Sequence, residues 1–246
     1  MRKFTDLPAA ARAIWAKSGE LNGHGLLCHM LDVAAVAEAM LSRESRTTWQ
    51  WLSASFGLPS ENLPRWLGAM SGLHDFGKAI PGFQAKWPEG QMADRAAGLG
   101  FKPVSLSAAR HDLASAAFLR TELVRHFPGA GWAQAISQAL GAHHGYFPSS
   151  QEVKGAKPLY ESVEWASARG QLLEAYFSAL SLDESPTLNE LSLPALAWLA
   201  GLTSVADWIG SNEAWFSLGE RAELIHEHHA KARELAEVAL DEIGWP

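Results

Sequence analysis

An all-α domain is the fold class this sequence predicts, from two observations. Apolar residues recur at three- and four-residue spacing along most of the chain, and almost nothing alternates with a period of two over a useful length. The helical segments are, in order, LLCHMLDVAAVAEAML (26–41), LPRWLGAMSGLHDFGK (63–78), LSAARHDLASAAFLRTELVRHF (106–127), WAQAISQALGAHH (132–144), WASARGQLLEAYFSAL (165–180), LPALAWLAGLTSVADWIG (193–210) and RAELIHEHHAKARELAEVAL (221–240). Each boundary carries a breaker. Gly57-Leu58-Pro59 separates the first two segments, Pro81-Gly82 ends the second, and Gly98 to Pro103 precedes the third. Pro128-Gly129 splits the third from the fourth, Pro148 and Pro158 precede the fifth, and Pro186 precedes the sixth. Residues 81–105 and 145–158 exceed ordinary helix-to-helix connections, and long connections in compact domains tend to be functional or mobile.

With 246 residues, 48% hydrophobic and 19% charged, the chain suits one sizeable core, and a single domain over 1–246 is expected. Its motif-bearing part runs from about 10 to 215, followed by a terminal helix at about 218–241. No secretory signal precedes the first helix and no apolar run approaches a membrane span, so a soluble protein without a membrane partner is expected. Cys28 is the only cysteine, which excludes an internal disulfide or a cysteine-rich zinc site and suggests a buried thiol in a reducing cytoplasm. A net charge of −7 argues against broad coating of a nucleic acid, so such a substrate would be held locally. No G-x-x-x-x-G-K-[ST] occurs, which argues against an ATP motor in this chain.

The ten histidines are unevenly placed. His74 adjoins Asp75 in GLHDFGKAIPGFQ, and His143 adjoins His144 in GAHHG, each pair at the C-terminal end of an expected helix. His29 lies inside an apolar helix, His111 precedes Asp112, and Asp207 sits in a mostly apolar helix where an unpaired carboxylate would be costly to bury. Any one of these could be a hydrogen-bonded core residue. Together, imidazoles and carboxylates without cysteine are the ligand set of borderline divalent metals, and they favour a catalytic over a closed structural site.

In order and in detail, HGLLCHMLDVAAVA, HDFGKAIPGFQ, GAHHG and ADWIGS resemble the HD superfamily of metal-dependent phosphohydrolases, and within it the HD nuclease domain of the type I CRISPR nuclease-helicase. The resemblance implies two sites for divalent transition ions, with manganese, iron, nickel or cobalt ahead of magnesium. His29, His74, Asp75 and Asp207 would hold the first ion, and Asp75, His111, His143 and His144 the second, with Asp75 bridging. It further implies an antiviral single-stranded DNA endonuclease in which a water activated by both ions attacks phosphorus, fed by a helicase domain or subunit and directed by an RNA-guided surveillance complex.

Around this set, Lys78 is expected one turn from His74, as a helix-terminal cation or as a catalytic group meeting the scissile phosphate. Ser211, one turn after Asp207, would bind a substrate phosphate or cap its helix. His24 is expected in the loop leading into the first helix, as a substrate contact or as an alternative to the favoured ligand His29. Asp32, Asp94 and Asp112 read as exposed carboxylates, with partners that fix imidazole tautomers as the alternative, and His226, His228 and His229 read as solvated. Of the eleven tryptophans, Trp66, Trp132, Trp165 and Trp198 sit at core positions; Trp87, with Tyr146 and Phe147, is a better candidate for stacking bases. Lys154 and Lys157 would steer a phosphate backbone or keep a loop soluble. Two alternatives remain open: an HD phosphohydrolase acting on nucleotides or cyclic nucleotides, and a metal-free binding module on the same helical shell.

Overall fold

The computed structural model describes residues 2–19, 23–182, 184–188 and 190–246. Among them, twelve α-helices follow one another: α1 (Ala9–Ala13), α2 (Leu26–Ser42), α3 (Arg46–Phe56), α4 (Leu63–Gly72), α5 (Pro81–Gln84), α6 (Pro88–Ala96), α7 (His111–His126), α8 (Ala133–Gly141), α9 (Ser150–Gly155), α10 (Val163–Ala179), α11 (Leu193–Gly210) and α12 (Ile225–Glu242). The only sheet among the described residues is one short antiparallel pair, β1 (Trp15–Lys17) with β2 (His24–Gly25). The expected all-α class holds.

Helix α2 is apolar on every side, and fifteen of its residues are buried, as expected of a central helix wrapped by others. Helices α4, α11 and α12 pack around it. By length and composition α11 is apolar enough to cross a membrane, with a mean hydropathy of 1.2 over 18 residues. It packs one face on α2, α4 and α8, and 44% of it is buried.

Four segments differ from the sequence expectation. The helix expected over 63–78 stops at Gly72 and tightens into a 3-10 turn, Leu73–Lys78. A side chain at Gly72 would strike the Met30 carbonyl and the Tyr176 hydroxyl, so α2 and α10 close on the chain at this point. The connection 81–105 contains α5, α6 and a 3-10 turn at Pro103–Ser107, and the connection 145–158 contains α9, started by the reciprocal capping of Ser149 and Glu152. Helix α3 was not expected. Only Leu52 and Phe56 of it are buried, so its apolar periodicity is too short to read, and Ser45 at one end and Gly57 (φ 72°) at the other define it.

Helix α12 is tied to α2 by a buried polar knot. The Gly219 N–H donates to His24 Nδ1 (3.0 Å), which leaves Nε2 to donate to Asp32 Oδ2 (3.0 Å). The Arg221 N–H donates to His228 Nδ1 (3.1 Å), and His228 Nε2 donates to Asp32 Oδ1 (3.1 Å). The Arg221 guanidinium also pairs with Asp32. Burial opposes ionisation of Asp32, yet these donors hold it well below the usual carboxylate range. The expectations for three residues are corrected here: Asp32 and His228 are buried rather than solvated, and His24 spends both ring nitrogens inside the fold. His228 shares the buried stripe of Ile225, Ala232, Ala236 and Ala239.

Asp94 is also buried, against expectation, and neither carboxyl oxygen has a hydrogen-bond partner. Burial pushes its pKa up to about 8. The folded state therefore holds this proton more tightly than the unfolded chain does, and stability falls as pH rises from the ordinary carboxylate range towards 8. Replacing Asp94 by Asn should remove that slope. Thermal melts at pH 5 and pH 8 should show the gain from Asp94→Asn growing by about 1–3 kcal/mol, a few °C, between the two; equal shifts at both would show that the carboxyl is not protonated in the fold.

Candidate metal centre

Five segments deliver the candidate ligands. His29 comes from the first turns of α2, His74 and Asp75 from the 3-10 turn after α4, His111 from the first residue of α7, and Asp207 from the last turn of α11. His143 and His144 lie in the turn just after α8. Both doublets thus stand beyond helix C-termini, where the chain turns and neighbouring side chains can converge. Gly77 makes the approach of α7 possible. A side chain there would collide with the His111 carbonyl and the Ser115 nitrogen, and the bare backbone instead donates to Ser115 Oγ (2.8 Å).

The seven residues form two donor groups. The ligand atoms of His29, His74, Asp75 and Asp207 all lie within 4.8 Å of one another, and so do those of His111, His143 and His144. Asp75 joins them through its two oxygens. Oδ2 faces His29 Nε2 at 2.9 Å and His74 Nε2 at 3.3 Å, while Oδ1 faces His111 Nε2 at 3.2 Å and His143 Nε2 at 4.0 Å. Asp207 Oδ1 closes the first group at 3.4 Å from His29 and 3.3 Å from His74. In the second group His144 Nε2 is 3.2 Å from His111 Nε2. Burial grades across the site: His29, His74 and Asp75 are buried, His111 and Asp207 partly so, and His144 is exposed.

These donors fit cations. Nδ1 of His74 faces the Ser71 carbonyl (3.1 Å) and Nδ1 of His143 faces that of Leu140 (2.6 Å), so each ring directs Nε2 into the site, where it has no hydrogen-bond partner. A bare Nε2 lone pair facing two carboxylates is repulsive unless a proton or a metal lies between them. Burial alone would lower the pKa of His74, but Asp75 and Asp207 overcome this and raise it to about 10. Those carboxyls are in turn held well below their ordinary range, against burial: Asp75 by His74, Lys78 and His111, and Asp207 by His74 and His29. Burial lowers His111 to about 4 and His143 to about 3, leaving both imidazoles neutral and available as ligands at neutral pH.

The surrounding residues divide. Lys78 reaches Asp75 rather than His74, because residues three apart eclipse in a 3-10 turn: Nζ lies 2.5 Å from Asp75 Oδ2 and donates to the Ala16 carbonyl (3.1 Å). Ser211 Oγ donates to Asp207 Oδ1 (2.9 Å). His24 is a correction: it meets neither donor group, being engaged with Asp32 and Gly219, so it is placed neither as a substrate contact nor as an alternative ligand. Asp112 is buried against Arg110 instead of exposed. Trp87 is half-buried and edge-on to Trp15 (5.5 Å), whereas Tyr146 and Phe147 are exposed. Sequence reasoning missed Lys17, whose Nζ donates to the Ser211 carbonyl (2.5 Å), and Ser204, whose hydroxyl donates to the His143 carbonyl. Strand β1 is thereby a strap, bonded through Ala16 to the Asp75 side and through Lys17 to the Asp207 side. A lone lysine ahead of a glycine-rich segment carries no sequence signal for this.

A family described as Cas3, HD domain, matches residues 15–216. The CRISPR-associated endonuclease/helicase Cas3 of Thermus thermophilus is 39% identical over 242 residues, covering 96% of this chain and 26% of that protein. The chain spans about a quarter of the length of the curated relatives it matches. The crystal structure of the Thermus thermophilus cas3 HD domain in the presence of Ni2+ superposes with a TM-score of 0.73 at 34% identity, covering 97% of this chain and 92% of that one. A chain of a CRISPR RNA-guided surveillance complex, pre-nicking, superposes with a TM-score of 0.77 at 26% identity, covering 97% and 29% respectively.

Two outcomes are expected. Because His74 is protonated at neutral pH, uptake of manganese should expel roughly one proton per ion at the first group; calorimetric titration in buffers of different ionisation enthalpy measures this, and no release would remove His74 from the ligand set. Gly77→Ala should cost about 1–3 kcal/mol of stability by forcing α7 off the turn, and should weaken metal uptake at the His111 group more than at the His29 group.

Proposed function

The chain belongs to the Cas3 HD-domain family, and from that premise we propose that it hydrolyses phosphodiester bonds of single-stranded DNA with two divalent ions, as the nuclease part of type I CRISPR interference in the cytoplasm. The observation that carries this reading is the divided carboxylate of Asp75, one oxygen towards each donor group. His29, His74, Asp75 and Asp207 would hold one ion, and Asp75, His111, His143 and His144 the other. Two such ions supply Lewis-acid polarisation of the phosphodiester and activation of the attacking water.

The chain's own residues do the rest. The Nδ1 contacts of His74 and His143 fix which nitrogen each ring presents. Ser211 and Lys17 hold the end of α11, and with it Asp207. Lys78 and Lys17 place two ammonium groups beside the carboxylates, where a substrate phosphate would meet them. Substrate enters from the His144 side, where the site opens to solvent. With a net charge of −7, the chain offers little to coat a duplex and grips one threaded strand better. A helicase domain or subunit would supply that strand, and an RNA-guided complex would choose it.

Circular single-stranded DNA separates the readings. Metal-stripped protein should cut it when manganese, nickel or cobalt is restored, with magnesium less effective, and Asp75→Ala should lower the rate by at least about a thousandfold, of the order seen when a group essential to the reaction is removed. Hydrolysis of cyclic dinucleotides without DNA cleavage would replace this function with the nucleotide phosphohydrolase.

A further inference from the structure

Trp208 follows the ligand Asp207 on α11 and is 74% exposed; Trp51, the next most open tryptophan, is 40% exposed. An indole left in water forfeits the burial that the other tryptophans obtain. Its place on the helix is specific. Ser204, Asp207, Trp208 and Ser211 fall at i, i+3, i+4 and i+7, one stripe of α11. Ser204 touches the His143 carbonyl, Ser211 touches Asp207, and Lys17 is bonded to the Ser211 carbonyl. The residues one turn before and one turn after Trp208 are thus both fixed to the metal centre, and the indole occupies the solvent edge of the same stripe.

The surroundings favour a planar ligand over a protein face. The exposed positions nearest before Trp208 on α11 are Gly201 and Ala197, and the exposed Leu193 lies only at the start of the helix, so no continuous run of large apolar side chains extends from the indole as a docked helix or partner surface would require. An open aromatic face on the helix stripe that carries Asp207, with the Lys17 ammonium bonded at Ser211 one turn on, is the pairing that single-strand binding sites use, base on ring and backbone on cation. Of the other stacking candidates, Trp87 packs edge-on to Trp15, the Tyr146 hydroxyl bonds to Arg110, and Phe147 is less open than Trp208, at 41%.

Resting on the single-strand reading above, we propose that Trp208 is the stacking platform for one nucleobase of the strand whose backbone lies at the metal centre. Stacking reads no base edge, so this subsite holds the strand without sequence preference.

Binding of a fluorescent twelve-residue oligothymidylate, and of the same backbone with abasic sites, would be followed by anisotropy in EDTA, so that neither is cut. Trp208→Ala should weaken oligothymidylate binding about tenfold and leave the abasic strand unchanged, while Trp208→Phe should stay within about threefold of the parent. Equal loss on both strands, or no loss on either, overturns the stacking subsite while leaving the nuclease reading in place. Failure of the unsubstituted chain to bind either strand overturns the single-strand reading and the subsite with it.

Discussion

Everything at the centre of this molecule depends on how one buried carboxylate is shared. Asp75 is almost wholly removed from water, and burial by itself would favour its neutral acid. Three cationic or potentially cationic neighbours reverse that preference, and the two oxygens are divided between two sets of imidazoles. The 3-10 turn is what permits the division. A regular α-helix through residue 78 would rotate Asp75 and Lys78 onto different lines; the tighter turn stacks the ammonium over the carboxylate and leaves both oxygens facing inward.

The rest of the architecture keeps that turn in place. Gly72 lets α2 and α10 close on its start, and Gly77 lets α7 close on its end, so His29 and His111 approach Asp75 from opposite sides. The strap of β1 adds a third restraint. Gln84 donates to the Trp15 and Lys78 carbonyls and accepts from the Trp15 N–H, locking strap to turn, while Lys17 locks the strap to α11. Backbone carbonyls and close glycine contacts, more than further charged pairs, set the geometry of the centre.

The helical class and the seven convergent residues were legible because they rest on local signals: apolar periodicity, breaker residues, and chemically matched doublets at helix ends. What was illegible depended on distant partners. Asp32 looks like a solvated carboxylate until Arg221 and His228, nearly two hundred residues on, are folded against it. His24 reads as a loop residue for the same reason. His228 was nearer to legible, since it falls at the apolar spacing of α12, but two further histidines beside it blurred the pattern. Lys78 was placed correctly beside the ligands yet assigned to the wrong neighbour, because sequence spacing does not distinguish a 3-10 turn from an α-helix. Lys17 and Ser204 act through backbone carbonyls of other elements, and a carbonyl leaves no trace in residue identity.

The polar knot beneath His29 bears on where the smallest stable unit ends. The family match stops at residue 216, yet three of the groups that satisfy Asp32 or hold its partner, at Gly219, Arg221 and His228, lie beyond that point. Cutting the polypeptide at the edge of the recognised motifs would strand an ionised carboxylate inside α2, one turn from His29, with His24 as its sole remaining partner in the knot. The last helix is therefore coupled to the candidate metal centre, reaching it from behind through hydrogen bonds rather than by lining it.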